Sequence, residues 1–276
     1  MSTIASERKR ALNLKTIALP TEHGGWGLVL EPLLVGLLLA PSFGGVFLSL
    51  ATLAAFLARQ PLKIFATEVR RKQLSARTSV ARNFAYTYIL VSILAFVPAV
   101  IYSPRLFLLP LFIALPLVVI QILFDMAGRS RDLIPELSGA AAMAAVSAAI
   151  ILAGGGKTST AFLVWVILVI VRVVPSILYV RARLRMNRSA RNSQLEPPSI
   201  ILPIAAHLFA CLVMAGLAYK HIVPILLIGT AVILTLRAAL FLSPLFHRIT
   251  AVQVGFSEIG FGLITIISLV IAYQSV

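Results

Sequence analysis

Long unbroken apolar runs alternate with short polar, mostly basic segments along the whole chain. The runs lie at residues 18–40, 44–58, 84–102, 106–124, 136–153, 161–180, 200–218, 222–242 and 252–273. Most approach the ~20 residues that a helix needs to cross ~30 Å of hydrocarbon. None alternates apolar and polar as a membrane strand does, so a barrel is excluded and helices are the expected spans. The pattern predicts an all-α, polytopic membrane helix bundle of about nine transmembrane helices. The second run is short, which predicts a tilted span or a locally thinned bilayer.

The connections fix an orientation. With the N-terminus inside, the inner segments hold Arg8, Lys9, Arg10 and Lys15; Arg59, Lys63, Arg70, Arg71, Lys72, Arg77 and Arg82; Arg129 and Arg131; Arg181, Arg183, Arg185, Arg188 and Arg191; and Arg248. The outer connections hold only Arg105, Lys157 and Lys220. This bias predicts N-in, C-out, and an odd number of crossings. A basic cytoplasmic segment at 1–17 then precedes one transmembrane domain at 18–276, with cytoplasmic loops at 59–83, 125–135, 181–199 and 243–251. The first run follows bases as a signal peptide would. It contains Glu22, His23 and Glu31 and lacks a small-residue cleavage site, so it reads as an uncleaved span.

Composition agrees: 60% of residues are hydrophobic and 12% charged, where soluble domains carry about 45–50% and about 25%. A net charge of +15 would suggest nucleic acid in a soluble protein. Here the bases flank membrane spans, where they serve as orientation signals and contacts to anionic lipid head groups, so no nucleic-acid partner is expected. The single cysteine, Cys211, permits no internal disulfide. The expected location is the cytoplasmic membrane of a cell, crossed several times. The stretch 138–149 is nearly all Ala, Gly and Ser, which lets helices approach closely and predicts a central fifth span.

Ionisable residues inside spans each cost about 2.5–3.5 kcal/mol at mid-depth, so each needs a partner or water. Glu22, His23, Asp125, Glu136, Arg172, His207, Arg237 and Glu258 fall in the inner half of their spans, and Glu31 lies deeper, about 12 Å beyond His23 at 1.5 Å per residue. Gln121 precedes Asp125 by a turn, and Ser176 and Tyr179 follow Arg172. The asymmetry predicts a polar cavity open to the cytoplasm and closed by an apolar outer half. The plainer alternative is that pairs such as Arg172–Glu258 or Arg237–Glu31 only fix the helix packing.

Five stretches invite a chemical reading. TEHGGWG (21–27) sets a carboxylate and an imidazole beside glycines and Trp26. Glu22, His23 and the deeper Glu31 are candidates for proton transfer or head-group binding; a helix start with an interfacial Trp anchor is the equal alternative. The bases around Arg59 and Lys63 suit a phosphate or diphosphate, or anionic lipid in general. In 125–139, Asp125 and Asp132 have divalent-ion chemistry, but Arg129 and Arg131 between them make a self-compensated turn the better reading, and no metal is expected. GGGKT (154–158) lacks the strand and first glycine of a phosphate-binding loop and is dismissed. The basic run at 181–191 has no acid and reads as a lipid-facing loop.

PTEHGGWGLVLEPLLVG (20–36), ARQPLK (58–63) and FDMAGRSRDLIPELSGA (124–140) make the chain resemble the YwiC-like integral membrane family of bacteria. That resemblance brings no activity with it. A more remote likeness is to UbiA-type prenyltransferases, whose nine-helix bundles have a cytoplasm-facing polar cavity and important loops after spans two, four and six. RSRDLIPELSGA is similar to their basic segment leading into span five. Their Asp-rich motifs hold Mg²⁺ for a prenyl diphosphate. Here those loops read RQPLKIFATEVRRK and YVRARLRMNRSAR, with Glu68 the only acid. No cofactor is expected, and bases would have to neutralise a phosphate directly.

The expected function is a UbiA-like lipid- or isoprenoid-binding protein, with metal-independent prenyl transfer left open. The polar head would lie against Glu22, His23, Arg59, Lys63, Arg129 and Arg131. Asp125, Glu136, Arg172, His207, Arg237 and Glu258 are further ligand-binding candidates. The alternative is a small-molecule transporter, for which neither an outer-half path nor an inverted repeat is visible.

Overall fold

The computed structural model describes residues 14–20, 23–72, 74–190, 192, 194, 196–243 and 249–274, with His23 and Gly24 by backbone alone. Glu22 and the side chain of His23, two of the expected head-group residues, lie outside the described residues, as do Arg8, Lys9, Arg10, Arg191 and Arg248.

The chain is all-α. After a short α1 (Leu14–Ala18) come α2 (His23–Leu39), α3 (Phe43–Arg70), α4 (Ala76–Ile101), α5 (Leu108–Met126) and α6 (Leu133–Ala153). Then follow α7 (Thr158–Ile167), α8 (Val174–Ser189), α9 (Ile201–Tyr219), α10 (Leu226–Leu242) and α11 (Ala251–Gln274). Among the described residues, seven helical stretches are long and apolar enough to cross a membrane, and Gly25–Leu39 and Leu226–Leu242 are shorter apolar helices. Large apolar side chains such as Leu94, Phe112 and Leu212 are more than 60% exposed. A water-soluble surface does not carry such a coat; this is a multi-pass membrane protein.

α6 is the axis of the bundle. It packs on α2, α3, α5, α7 and α8, and from Ala144 to Ala153 every residue is buried. The small side chains at 138–149 allow this, as expected. On the facing helix, a Cβ on Gly36 would stand 2.7 Å from Ile150 Cβ, so α2 seats on α6 only through a glycine. α8, α9, α10 and α11 pack in sequence, and α2 closes the group by packing on both α11 and α6.

Two expectations change. The helix that carries the second apolar run is longer than the run itself: α3 continues from the run at 44–58 through Pro61 to Arg70, 28 residues in all. The connection at 59–83 is therefore mostly helix, and α4 resumes at Ala76. A capping box stops the fraying there: Thr78 Oγ1 accepts from Ser75 N at 2.9 Å and donates to Glu68 at 2.5 Å, tying α4 to the end of α3. Likewise the basic run after residue 180 is not a lipid-facing loop. It continues α8 to Ser189, and Arg183 is only 1% exposed.

α7 and α8 form one rod with a π-helical turn at Leu168–Val173 between them. Pro175 explains it. Its ring nitrogen cannot bond the carbonyl of Val171, so the preceding turn widens. The wide turn carries Arg172.

Candidate functional site

The candidate residues collect in two places. The first is a buried network at mid-bundle. Arg172, on the π turn, grips Glu31 of α2 with a fork: Nε donates to Oε2 at 2.8 Å and Nη2 to Oε1 at 2.7 Å. Its Nη1 donates to Glu258 Oε2 of α11 and to Ser176 Oγ of α8, each at 2.7 Å. Its Nη2 also donates to the Glu258 backbone carbonyl at 2.7 Å. Arg237 of α10 donates through Nη1 to the other Glu258 oxygen. Its Nη2 meets His207 Nε2 of α9 at 3.3 Å and Ser176 Oγ at 3.5 Å. His207 Nδ1 lies 2.7 Å from the Pro203 carbonyl. A carbonyl only accepts, so Nδ1 carries the proton and Nε2 accepts from Arg237.

These five ionisable side chains, from α2, the π turn, α9, α10 and α11, are each between 1% and 9% exposed. Two guanidiniums face two carboxylates, so the quartet is neutral with His207 uncharged. Buried charges survive in lipid only when so compensated. Backbone room is part of the arrangement: a Cβ on Gly262 would stand 2.1 Å from Glu31 Oε1. Aromatic rings complete it, with Tyr179 4.2 Å and Phe261 5.1 Å from the Arg237 guanidinium carbon.

Of the expected pairs, Arg172–Glu258 forms. Arg237 reaches Glu258 and Arg172 takes Glu31, which replaces the expected Arg237–Glu31 pair. Five of the residues expected near a cytoplasm-facing cavity, Glu31, Arg172, His207, Arg237 and Glu258, are packed on one another. A face of the α7–α8 rod continues the polar line through Ser176, Tyr179 and Arg183, all buried, to Asn187, which donates to the Ile249 carbonyl at 2.8 Å. Arg183 donates to the Phe241 carbonyl in the last turn of α10 at 2.9 Å, where a cation suits the helix C-terminus. The spacing 172, 176, 179, 183, 187 is a helical stripe visible in the sequence once the helix is known to continue past 180.

The second place is one end of the bundle, about 13 Å along the rod from Arg172 to Arg181 at 1.5 Å per residue. Arg59 of α3 is paired with Asp125 of α5: Nε to Oδ2 is 3.0 Å and Nη2 to Oδ1 is 3.2 Å. With its amide oxygen turned inward, Gln121 also accepts from Arg59 at 3.0 Å and 3.2 Å. Lys63 Nζ donates to Ser130 Oγ at 2.5 Å. Arg70 donates to the Met126 carbonyl at 2.7 Å. Arg129 pairs with Asp132 at 2.6 Å, the self-compensated turn expected from the sequence. Arg181 joins Glu136 at 2.5 Å and the Arg131 carbonyl at 2.9 Å. Here Arg59, Lys63, Asp125, Arg129, Arg131 and Glu136 do come together. Lys63, Arg129 and Arg131 are exposed, and the Arg59 side chain is 41% exposed. Asp125 and Asp132 each serve an arginine, and among the described residues no group of three or more His, Cys, Asp or Glu stands close enough to hold a metal.

Comparison with known proteins adds one finding. Residues 19–151 match the model of a family described as YwiC-like protein. No curated protein and no solved structure matches the chain. The matched stretch holds Glu31 of the buried network and, apart from Arg181, all the residues named at the basic end.

Proposed function

Taking the chain as a YwiC-like membrane protein, we propose that it binds an amphipathic lipid or isoprenoid by its anionic head group at the basic end of the bundle, facing the cytoplasm of a bacterial cell. One observation carries the reading: Lys63 and Arg59 of α3 meet Ser130 and Asp125 beside the α5–α6 turn, accessible to solvent, with more cations than carboxylates among them. Arg129 and Arg131 extend the patch. Lys63 has a hydroxyl partner at 2.5 Å, so an arriving phosphate oxygen meets an ammonium already placed and not neutralised. Arg59 supplies a fork that can exchange part of its Asp125 contact for a phosphate. The remote UbiA likeness supports the choice of an isoprenoid tail. No Asp-rich motif accompanies it, so the head group is held here by cations.

Native mass spectrometry of the purified protein with a prenyl diphosphate, with and without Mg²⁺ and beside inorganic diphosphate, tests this. Metal-independent binding that weakens at least tenfold in an R59A/K63A variant is expected. Wild-type protein that carries only bulk phospholipid refutes the reading. A transporter is the second reading, favoured by the charged quartet at mid-depth, where ionisable groups mark translocation paths in other membrane proteins. A proton flux in proteoliposomes that Glu258→Gln abolishes would place it first.

A further inference from the structure

We propose that Asp125 is the internal competitor of the head group at Arg59: its carboxylate closes the site, and a phosphate opens it by taking the carboxylate's place on the guanidinium. The inference rests on the head-group reading above and adds the residue that regulates that site. A guanidinium has five N–H donors and two fork-shaped edges. Asp125 holds one edge, accepting from Nε at 3.0 Å and from Nη2 at 3.2 Å. Gln121, with its amide oxygen turned inward, holds the other, accepting from Nη2 at 3.0 Å and from Nη1 at 3.2 Å. One N–H of Nη1 is left, and a single N–H is no fork. An anion gains a fork on Arg59 only by displacing one of the two acceptors.

Asp125 is the acceptor free to leave. It stands in the last turn of α5, where a carboxylate opposes the helix dipole. Among the described residues its side chain has no hydrogen-bond partner besides Arg59. The two side chains are 17% and 41% exposed, and an ion pair so open to solvent is weak. Gln121 is held. Its amide lies 2.3–2.4 Å from the place a Cβ on Gly139 would take, so it fills the space between α5 and α6 that the glycine leaves. It keeps Arg59 aimed while Asp125 moves off. The charge that draws the anion in comes from elsewhere. Lys63 and Arg70 reach Ser130 and Met126 of the α5–α6 turn, and Arg131 stands on that turn. None of these cations has a carboxylate partner among the described residues. With Arg59 they outnumber the released Asp125, so a doubly or triply charged head group does not leave the site negative.

The test is native mass spectrometry of the full chain titrated with a prenyl diphosphate without Mg²⁺, as wild type, Asp125→Asn and Asp132→Asn. Asp125→Asn removes the competitor and should bind about tenfold more tightly, or better. Asp132→Asn removes the same charge from the same turn, but from Arg129, and should change the affinity less than about threefold. An Asp125→Asn variant that binds no more tightly than wild type, or that no longer folds, overturns the proposal, since the carboxylate then serves to position Arg59. Equal gains in the two variants overturn it too, because net charge alone then accounts for them. Wild type and Asp125→Asn that both carry only bulk phospholipid remove the head-group reading, and this inference with it. A wild type that binds beside an unimproved Asp125→Asn removes this inference alone.

Discussion

Replacing Arg172 by Met removes the guanidinium hub of the buried network and keeps the unbranched apolar stem. Five hydrogen bonds of 2.7–2.8 Å are lost, to Glu31, Glu258 and Ser176. Glu258 keeps Arg237. Glu31, 6% exposed, loses the one guanidinium that the structure gives it. Breaking a buried pair by deleting one partner costs about 3–5 kcal/mol, because a charge remains without compensation. At about 2–4 °C per kcal/mol for a chain of this size class, R172M should melt about 6–20 °C below wild type. Cys211, half-buried and 3.2 Å from Thr235 Oγ1, gives a thiol-reactive dye a single site from which to follow unfolding. A control separates charge imbalance from lost packing. The E31Q/R172M double variant removes one charge of each sign and should recover at least half of the loss. If R172M melts within about 2 °C of wild type, the charges do not depend on one another and the argument from compensation fails. If E31Q/R172M melts below R172M, the cost lies in packing at the π turn.

Gly262→Ala should destabilise by about 1–3 kcal/mol through overpacking, since its Cβ would stand 2.1 Å from Glu31 Oε1; Glu31→Asp on the same background should recover part of the melting temperature, and no recovery would mean that the clash falls elsewhere. Gly139→Val drives Gln121 away, its side chain lying 2.3–2.4 Å from the Cβ position, and so unsettles Arg59; prenyl-diphosphate binding should weaken by several-fold, read by the same mass spectrometry. Reporter fusions test the proposed orientation: a cytoplasm-active reporter should work after Arg188, a periplasm-active one after Lys157, and the reverse result inverts the bundle.

The helical class and the position of each apolar run were legible because a bilayer imposes one length and one polarity on every span. Helix ends were not, for a related reason. Hydropathy reports where a segment leaves hydrocarbon, whereas a helix stops where its backbone finds other partners. α3 passes Arg59 and Pro61 without stopping because only a turn's carbonyl is released there. It ends where Glu68, Ser75 and Thr78 provide the cap that starts α4. α8 continues to Ser189 on the same principle, and the error at Arg183 followed from ending the helix too soon. The π turn was hidden as well, since Pro175 signals a disturbed turn without saying whether the helix kinks, breaks or widens.

The members of the buried network were legible one by one, and their pairing was not. Depth in a span tells which charges need partners; it does not tell which helices are neighbours. Arg237 and Glu31 had suitable depths, yet α2 and α10 are separated by α11, which packs on both. Glu258 on α11 is therefore the residue shared by both arginines. Had Glu258 been lost, Arg237 would have no carboxylate among the described residues, while Arg172 would keep Glu31. Glu258→Gln should on this reasoning be worse tolerated than Glu31→Gln, although the latter removes a two-bond fork. Melting both variants side by side gives the order directly, and the opposite order would mean that α2, and not α11, holds the network together.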